Sequence, residues 1–381
     1  MGCDCVNRIA VLGAGNGGCT FSGHLALKGY EVALFEFPSF EKNIEEIKKR
    51  GGVELTGAIE GFGQVSDITT DIEVALRGSS IVMVVVPAFA HRAAIETALP
   101  FIEDGQIWVF NPGNFGSLIF REILRKEKVN KKIKVADTAS LMYATGKTGP
   151  TTVRVDAIKD VMPIAALPSR DIGLVFDVMK DVFEEFSPAA NVLEIGFMNI
   201  NMILHCAACI LNLGRIEDTK GNFMFYWEGM TESVCKVMEK MDEERIKVGE
   251  ALGLKLKPTL FSLRQFYPLE RTGTDLHDWV THSRAHGGQG PDAPNSAKHR
   301  YVSEDVPNGL VPVSLLGKLV GVTTTAIDSI ISLSSLVNGI DYFNEGRSLE
   351  KMGLSGLTPQ KIMSYLEKGS QKTGKENLSF F

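Results

Sequence analysis

The segment RIAVLGAGNGGCTFSGHLALKGYEVALFEF, residues 8–37, leaves few folds open to this chain. An apolar run, Ile9 to Leu12, leads straight into Gly13-Ala14-Gly15-Asn16-Gly17-Gly18. A helical pattern on Phe21, Leu25 and Leu27 follows, and Gly29 closes it before a second apolar run that ends at Glu36. Strand, glycine turn, helix and strand with a terminal acid form the unit that holds a dinucleotide. Gly13 permits the tight turn, Gly15 lets backbone approach a pyrophosphate, and Gly18 lets helix and strand pack closely. The N–H groups at Asn16 and Gly17 open the helix at its positive end, where a phosphate is welcome. Glu36 is placed to accept hydrogen bonds from an adenosine ribose. Its charge opposes a 2′-phosphate and the next basic residue is Lys42, so the segment favours NAD over NADP. A glycine-rich turn that binds no dinucleotide is the plainer alternative.

Apolar runs recur through the first half, at 81–86, 106–110, 133–136, 151–155 and 161–167, with helical patterns at 40–50, 90–99 and 116–127 between them. Continuous apolar strands alternating with helices imply a largely parallel, doubly wound α/β sheet covered on both faces. Ligands of such sheets sit beyond the carboxyl ends of the strands, which makes the loops at Pro87 and after Phe110 walls for a nicotinamide and a substrate. Residues 177–186 read as helix, Ser187-Pro188 breaks it, and 192–195 read as a short last strand.

Beyond this point helical periodicity dominates. Val234, Val237, Met238, Met241, Val248 and Leu252 mark one face of a long helix ending at Gly253, with Lys236, Glu239, Lys240, Glu243 and Lys247 on its solvated side. The division expected is a Rossmann-type domain over 6–189, an all-α domain over 190–369 and a polar tail over 370–381. The stretch 272–300 carries His277, His282, His286 and His299 among many Gly, Pro, Asp and Asn residues, and reads as a long irregular loop. Its histidines lack the spacing and acidic or thiol partners of a ligand set, so no metal is expected.

Composition narrows the function. A net charge of −6, with no basic stripe, argues against nucleic acid or a membrane surface as partner. No signal peptide or run of eighteen apolar residues stands out, and residues 309–340 are interrupted by Lys318 and Asp328. Six cysteines without a dense framework fit a reducing cytoplasm, and Cys206 and Cys209 read as buried thiols. The apolar helices near 309–340 offer a surface for a homodimer.

Hydride transfer needs an acid/base and a cation to hold an anionic substrate. Asn201, His205, Ala208 and Asn212 share one face of an otherwise apolar helix. The segment RYVSEDVPNGL at 300–310 adds a guanidinium, Arg300, and a carboxylate, Asp305, which beside an imidazole would orient it and favour its cation. A core histidine and a surface ion pair are the plainer readings of each element taken alone.

The chain resembles the octopine/nopaline-type opine dehydrogenases along nearly its whole length. The resemblance rests on GAGNGG at 13–18, DTASLMYA at 137–144, NINMILH at 199–205, FYWEG at 225–229, RYVSEDVPNGLVP at 300–312 and EGRSLEKMGLSGL at 345–357. It implies a Rossmann-type domain followed by a helical one, with the active site in the cleft. It also implies NAD(P)H-dependent joining of an α-keto acid to the amino group of an amino acid. His205 takes the family's acid/base role and Asp305 that of its partner, while Arg300, Asn201 and Tyr143 fall on the substrate side. Many relatives follow the Tyr-Ala pair with a cysteine-like residue and arginine. This chain has Thr145-Gly146-Lys147, and Lys147 is the candidate replacement for a substrate-carboxylate ligand. The rival readings are a ketone reductase of the ketopantoate or glycerol-3-phosphate type, whose key lysine has no counterpart around Asn201 and His205, and a non-catalytic NAD sensor.

Overall fold

The chain folds, in a computed structural model, into two units, Met1–Ile195 with Ser364–Phe381, and Gly196–Met363. The structure describes residues 6–268, 273–284, 286–287 and 290–370.

The first unit is built on twelve strands: β1 Arg8–Leu12, β2 Glu31–Phe35, β3 Gly52–Gly57, β4 Gly61–Gln64, β5 Asp67–Thr69, β6 Ile81–Val84, β7 Ile107–Phe110, β8 Lys134–Thr138, β9 Tyr143–Lys147, β10 Thr152–Ile158, β11 Met162–Ala166 and β12 Phe186–Pro188. Eight of them form one sheet in the order β12-β11-β8-β7-β6-β1-β2-β5. Every neighbouring pair is parallel except β8 with β11. All four residues of β6 and of β7 are buried, as a sheet covered on both faces requires. β2 lies on one side of β1 and β6 on the other, so the strand order reverses at the carboxyl end of β1, where the glycine turn begins.

A second sheet, β4-β3-β10-β9, departs from the single sheet expected. Its β10 carries the 151–155 run, whose residues Val153, Arg154 and Val155 alternate buried, exposed, buried. That alternation is the mark of a strand with one wet face, and it distinguishes β10 from the uniformly apolar strands β6 and β7 of the main sheet. The small sheet packs on helix α1, Asn16–Leu27. Gly23 of α1 lies against Leu55, and a Cβ on Gly63 would collide with the Gly23 backbone, so the glycines let helix and sheet touch. Residues 192–195 are also helical rather than extended. The Asn191 side chain accepts from the Glu194 N–H (3.0 Å), capping the helix Val192–Met198. The last strand is instead β12, an edge strand, where Pro188 is tolerated.

The second unit is helical. The helix Glu232–Ala251 packs against Asn201–Leu211, Val311–Val320 and Thr325–Asn338. Lys236, Glu239, Lys240, Glu243 and Lys247 are exposed, as their spacing predicts. Asp242, Glu244 and Arg245 are buried, because this helix is covered on more than one side. The Arg245 guanidinium donates to Asp242 (2.8 Å) and to the carbonyls of Phe197 (2.8 Å) and Lys257 (2.7 Å). Asp242 also accepts from the N–H and hydroxyl of Thr259, and Glu244 accepts from the N–H groups of Ala326 and Ile327 that open the next helix. The 192–211 stretch has the length and mean hydropathy (1.5) of a membrane span. It is broken into Val192–Met198 and Asn201–Leu211, and its side chains are mostly buried. Within 272–300, the expected irregular loop, Leu276–His282 is a helix capped by the Asp275 side chain. Residues 272, 285, 288 and 289 of that stretch lie outside the described residues.

Arg245→Met keeps the length of the side chain but leaves Asp242 charged, buried and short of its cation. Loss of one partner of such a pair costs about 3–5 kcal/mol. Urea unfolding followed by circular dichroism should show a loss in that range, and a loss under about 1 kcal/mol would show that the network contributes little.

Candidate active site

The glycine turn has the shape a dinucleotide needs. Gly13 adopts φ +106°, and a Cβ there would stand 2.6 Å from the Val85 carbonyl oxygen. A Cβ on Gly18 would collide with the carbonyl of Gly13, so α1 can begin directly over the end of β1 only with glycine at both places. At Gly15 the situation is the reverse. Among the described residues no neighbouring atom lies within 4 Å of where its Cβ would be, and both Gly15 and Asn16 are exposed. Backbone is bare at the positive end of α1, and nothing in the fold itself demands the glycine at 15. Glu36 closes the other side. Its carboxylate accepts from the N–H of Ala14 (3.2 Å) and Phe37 (2.9 Å) and from the Asn43 amide (3.1 Å), which fixes it beside the turn. A carboxylate offers about four acceptor sites, so capacity remains for a ribose hydroxyl. Pro87 is exposed in the loop after β6, whose Val85 and Val86 pack on the turn. These residues fit NAD.

The chemistry-bearing cluster of the second unit joins residues a hundred positions apart. His205 lies on the helix Asn201–Leu211, whose first N–H donates to the Asn199 side chain (3.2 Å). The opposing segment starts with the short helix Arg300–Ser303, passes Asp305, and widens into a π-helical turn over Val306–Leu310. Gly309 in that turn rests on Met202, 2.9 Å from Cβ to where its own Cβ would be, which lets the two segments approach. Their meeting brings His205 Nδ1 to 2.8 Å from Asp305 Oδ2. His205 Nε2 lies 2.9 Å from the Tyr226 hydroxyl. Tyr301 stacks on the imidazole with ring centroids 3.8 Å apart and planes 20° from parallel. His205 and Asp305 are each 5% exposed and Tyr226 is 8% exposed, so the cluster is nearly dry. Burial holds the Tyr226 hydroxyl well above the usual phenol range, and it stays protonated.

Other candidates take different places. Arg300 is half-exposed, with its Nε 3.2 Å from the Glu304 carboxylate, and Asn201 is half-buried one turn before His205. Tyr143, expected on the substrate side, is turned into the core of the first unit. Its hydroxyl meets His24 Nδ1 at 3.0 Å and its ring packs edge-on to Phe21, so it serves the contact between β9 and α1. Burial pushes the His24 imidazole down to about 4, leaving it neutral in that contact at ordinary pH. Lys147, the candidate carboxylate ligand, donates instead to the Ala14 carbonyl (2.9 Å), because β9 lies against the glycine turn. Tyr226 received no role from the sequence, where only the FYWEG motif marked it. Among the described residues no three His, Cys, Asp or Glu side chains are grouped as metal ligands would be.

Residues 188–338 match the α-helical domain of the NAD/NADP octopine/nopaline dehydrogenases. Residues 8–135 match the N-terminus of NAD-dependent glycerol-3-phosphate dehydrogenases. The opine dehydrogenase of Arthrobacter sp. (strain 1C) is 34% identical over 360 residues, covering 94% of this chain and 98% of that protein. The chain belongs to the opine dehydrogenase family. Solved structures of octopine dehydrogenase share the opine dehydrogenase fold at 21% identity. The complex with NADH and L-arginine has a TM-score of 0.73 and that with NADH and pyruvate 0.72; each alignment covers 97% of this chain and 100% of that one.

The two glycines separate fold from binding. Gly15→Ala should unfold like the parent protein yet bind NADH on the order of tenfold more weakly, about 1.4 kcal/mol. Gly18→Ala should lose about 1–3 kcal/mol of stability. Parallel urea titration and NADH fluorescence titration check both. Unchanged NADH affinity in the Gly15 variant would remove the pyrophosphate from this turn.

Proposed function

We propose that this protein is an NADH-dependent opine dehydrogenase that joins an α-keto acid to the amino group of an amino acid, reversibly. The observation that carries this reading is the buried pairing of His205 with Asp305, on a helical unit of the family's own type. A dinucleotide holder without chemistry has no use for an imidazole so confined. The two octopine dehydrogenase complexes, with L-arginine and with pyruvate, supply one example of each substrate class.

NADH, when bound, supplies the hydride that reduces the imine carbon. The backbone of the glycine turn would hold its pyrophosphate and Glu36 its ribose. His205 manages the proton. In the reductive direction its cation protonates the carbinolamine hydroxyl, which leaves as water as the imine forms. In the oxidative direction the neutral ring takes that proton back. Asp305 accepts from Nδ1–H, which fixes the tautomer and the orientation of the ring. Arg300 grips a substrate carboxylate, a task suited to its planar guanidinium. We also place the enzyme in a reducing cytoplasm, consistent with the buried free thiols of Cys19, Cys206, Cys209 and Cys235. As a homodimer, it would pair through Leu333, Leu336, Val337 and Ile340, which are exposed at helical spacing around the end of the helix Thr325–Asn338.

NADH oxidation should be slow with pyruvate alone and rise when a mixture of amino acids is added, with a secondary-amine dicarboxylate appearing by mass spectrometry. Rapid oxidation with a keto acid alone would favour a ketone reductase instead. His205→Asn should lower kcat by roughly 10²–10⁴-fold, the usual scale for a positioned acid/base. Its NADH dissociation constant should stay within about twofold of the parent value, a difference near 0.4 kcal/mol.

A further inference from the structure

Both ring nitrogens of His205 are already engaged. Nδ1 meets the Asp305 carboxylate at 2.8 Å and Nε2 meets the Tyr226 hydroxyl at 2.9 Å. The ring is 5% exposed and is covered on one face by Tyr301. The nitrogen that must exchange a proton with substrate is therefore the one that Tyr226 occupies. Tyr301, which stacks on the imidazole, is the least buried member of the group.

We propose that Tyr226 relays the proton of His205, so that the imidazole acts on the substrate through the phenol oxygen. The inference rests on the reductive-coupling reading above and adds a catalytic residue to it. The step balances without any further reactant. The Tyr226 O–H bond breaks toward the substrate hydroxyl while the His205 Nε2–H proton moves to the Tyr226 oxygen. The tyrosine is restored, the imidazolium becomes imidazole, and the substrate oxygen leaves as water. In reverse, the neutral imidazole accepts the phenol proton as the phenol takes one from the substrate.

The setting suits a relay. Burial keeps the Tyr226 hydroxyl well above its ordinary value, so it never rests as a phenolate and always carries the proton it must pass. Among the described residues, His286, Tyr267 and Asp292 lie on the Tyr226 side, and Arg300 with Glu304, His299 and Cys206 lie on the side of Tyr301 and Asp305. Burial and the neighbouring Arg300 hold His299 below the usual imidazole range, which makes it a poor competitor for the proton. The ring of Tyr226 packs edge-on to Phe225, so replacing only its hydroxyl leaves the packing in place.

The test is Tyr226→Phe, beside His205→Asn and the parent enzyme, with NADH, pyruvate and an equimolar mixture of L-amino acids. A relay predicts a loss in kcat of roughly 10²-fold with little change in KM. It also predicts a curved proton inventory in mixed H₂O and D₂O for the parent, which becomes linear in the variant. A variant with parental kcat and parental solvent isotope effect would overturn the relay. A second measurement does not depend on turnover. In ¹⁵N-histidine NMR of the cofactor-free protein, the His205 Nε2 resonance should move in Tyr226→Phe, and an unmoved resonance overturns the relay. Absence of coupled product from the parent enzyme would sink the functional reading, and the NMR arm would still decide the hydrogen-bonded pair.

Discussion

Helix α1 starts directly on top of the strand that precedes it, with Gly18 against the carbonyl of Gly13. The rest of the first unit follows from that close approach. A side chain at 18 would lift the helix away, and Gly63 could no longer rest on Gly23 from the other side. The helix is therefore held between two sheets, and nearly all of its residues up to Leu25 are buried. Its exposed N-terminal end, with Gly15 and Asn16 open, faces the site of a ligand. Glu36 is held by the N–H of Ala14 within the turn itself, so the ribose and pyrophosphate positions are built as one rigid piece.

In the helical unit polar groups sit where apolar ones would have packed more simply. Asp242 and Arg245 satisfy each other and the ends of neighbouring segments, and Glu244 caps the Thr325–Asn338 helix. These groups are paired in full, which makes their burial tolerable. The His205 cluster differs in kind, since it joins three titratable side chains in series rather than closing on backbone. A series of this sort has two arrangements of its protons at similar geometry. That is a property a structural network has no need of and an acid/base requires.

Much of the fold was legible because its signals are local. β1, the glycine turn, α1 and β2 are consecutive, and each step has its own residue chemistry. The uniformly apolar strands β6 and β7 declare a sheet covered on both faces. What escaped notice was non-local or carried by weak patterns. β10 reads as one more strand until its alternation is given weight, and the helix at 192–198 owes its start to the Asn191 cap. On the long charged helix the outward residues followed the period, while Asp242, Glu244 and Arg245, on which the period is silent, are held inward by partners from other segments.

At the site, sequence alone determined the residue types: an open glycine turn, an acid at the end of β2, an imidazole on an apolar helix and a carboxylate a hundred residues later. Those follow from spacing and from chemistry that few other side chains supply. Tertiary structure decided who meets whom. It sent Tyr143 to His24 and Lys147 to Ala14, and it put the hydroxyl of Tyr226 on the nitrogen of His205. Contacts of this kind depend on how separate segments pack to within tenths of an ångström, and no period or motif along the chain encodes that distance.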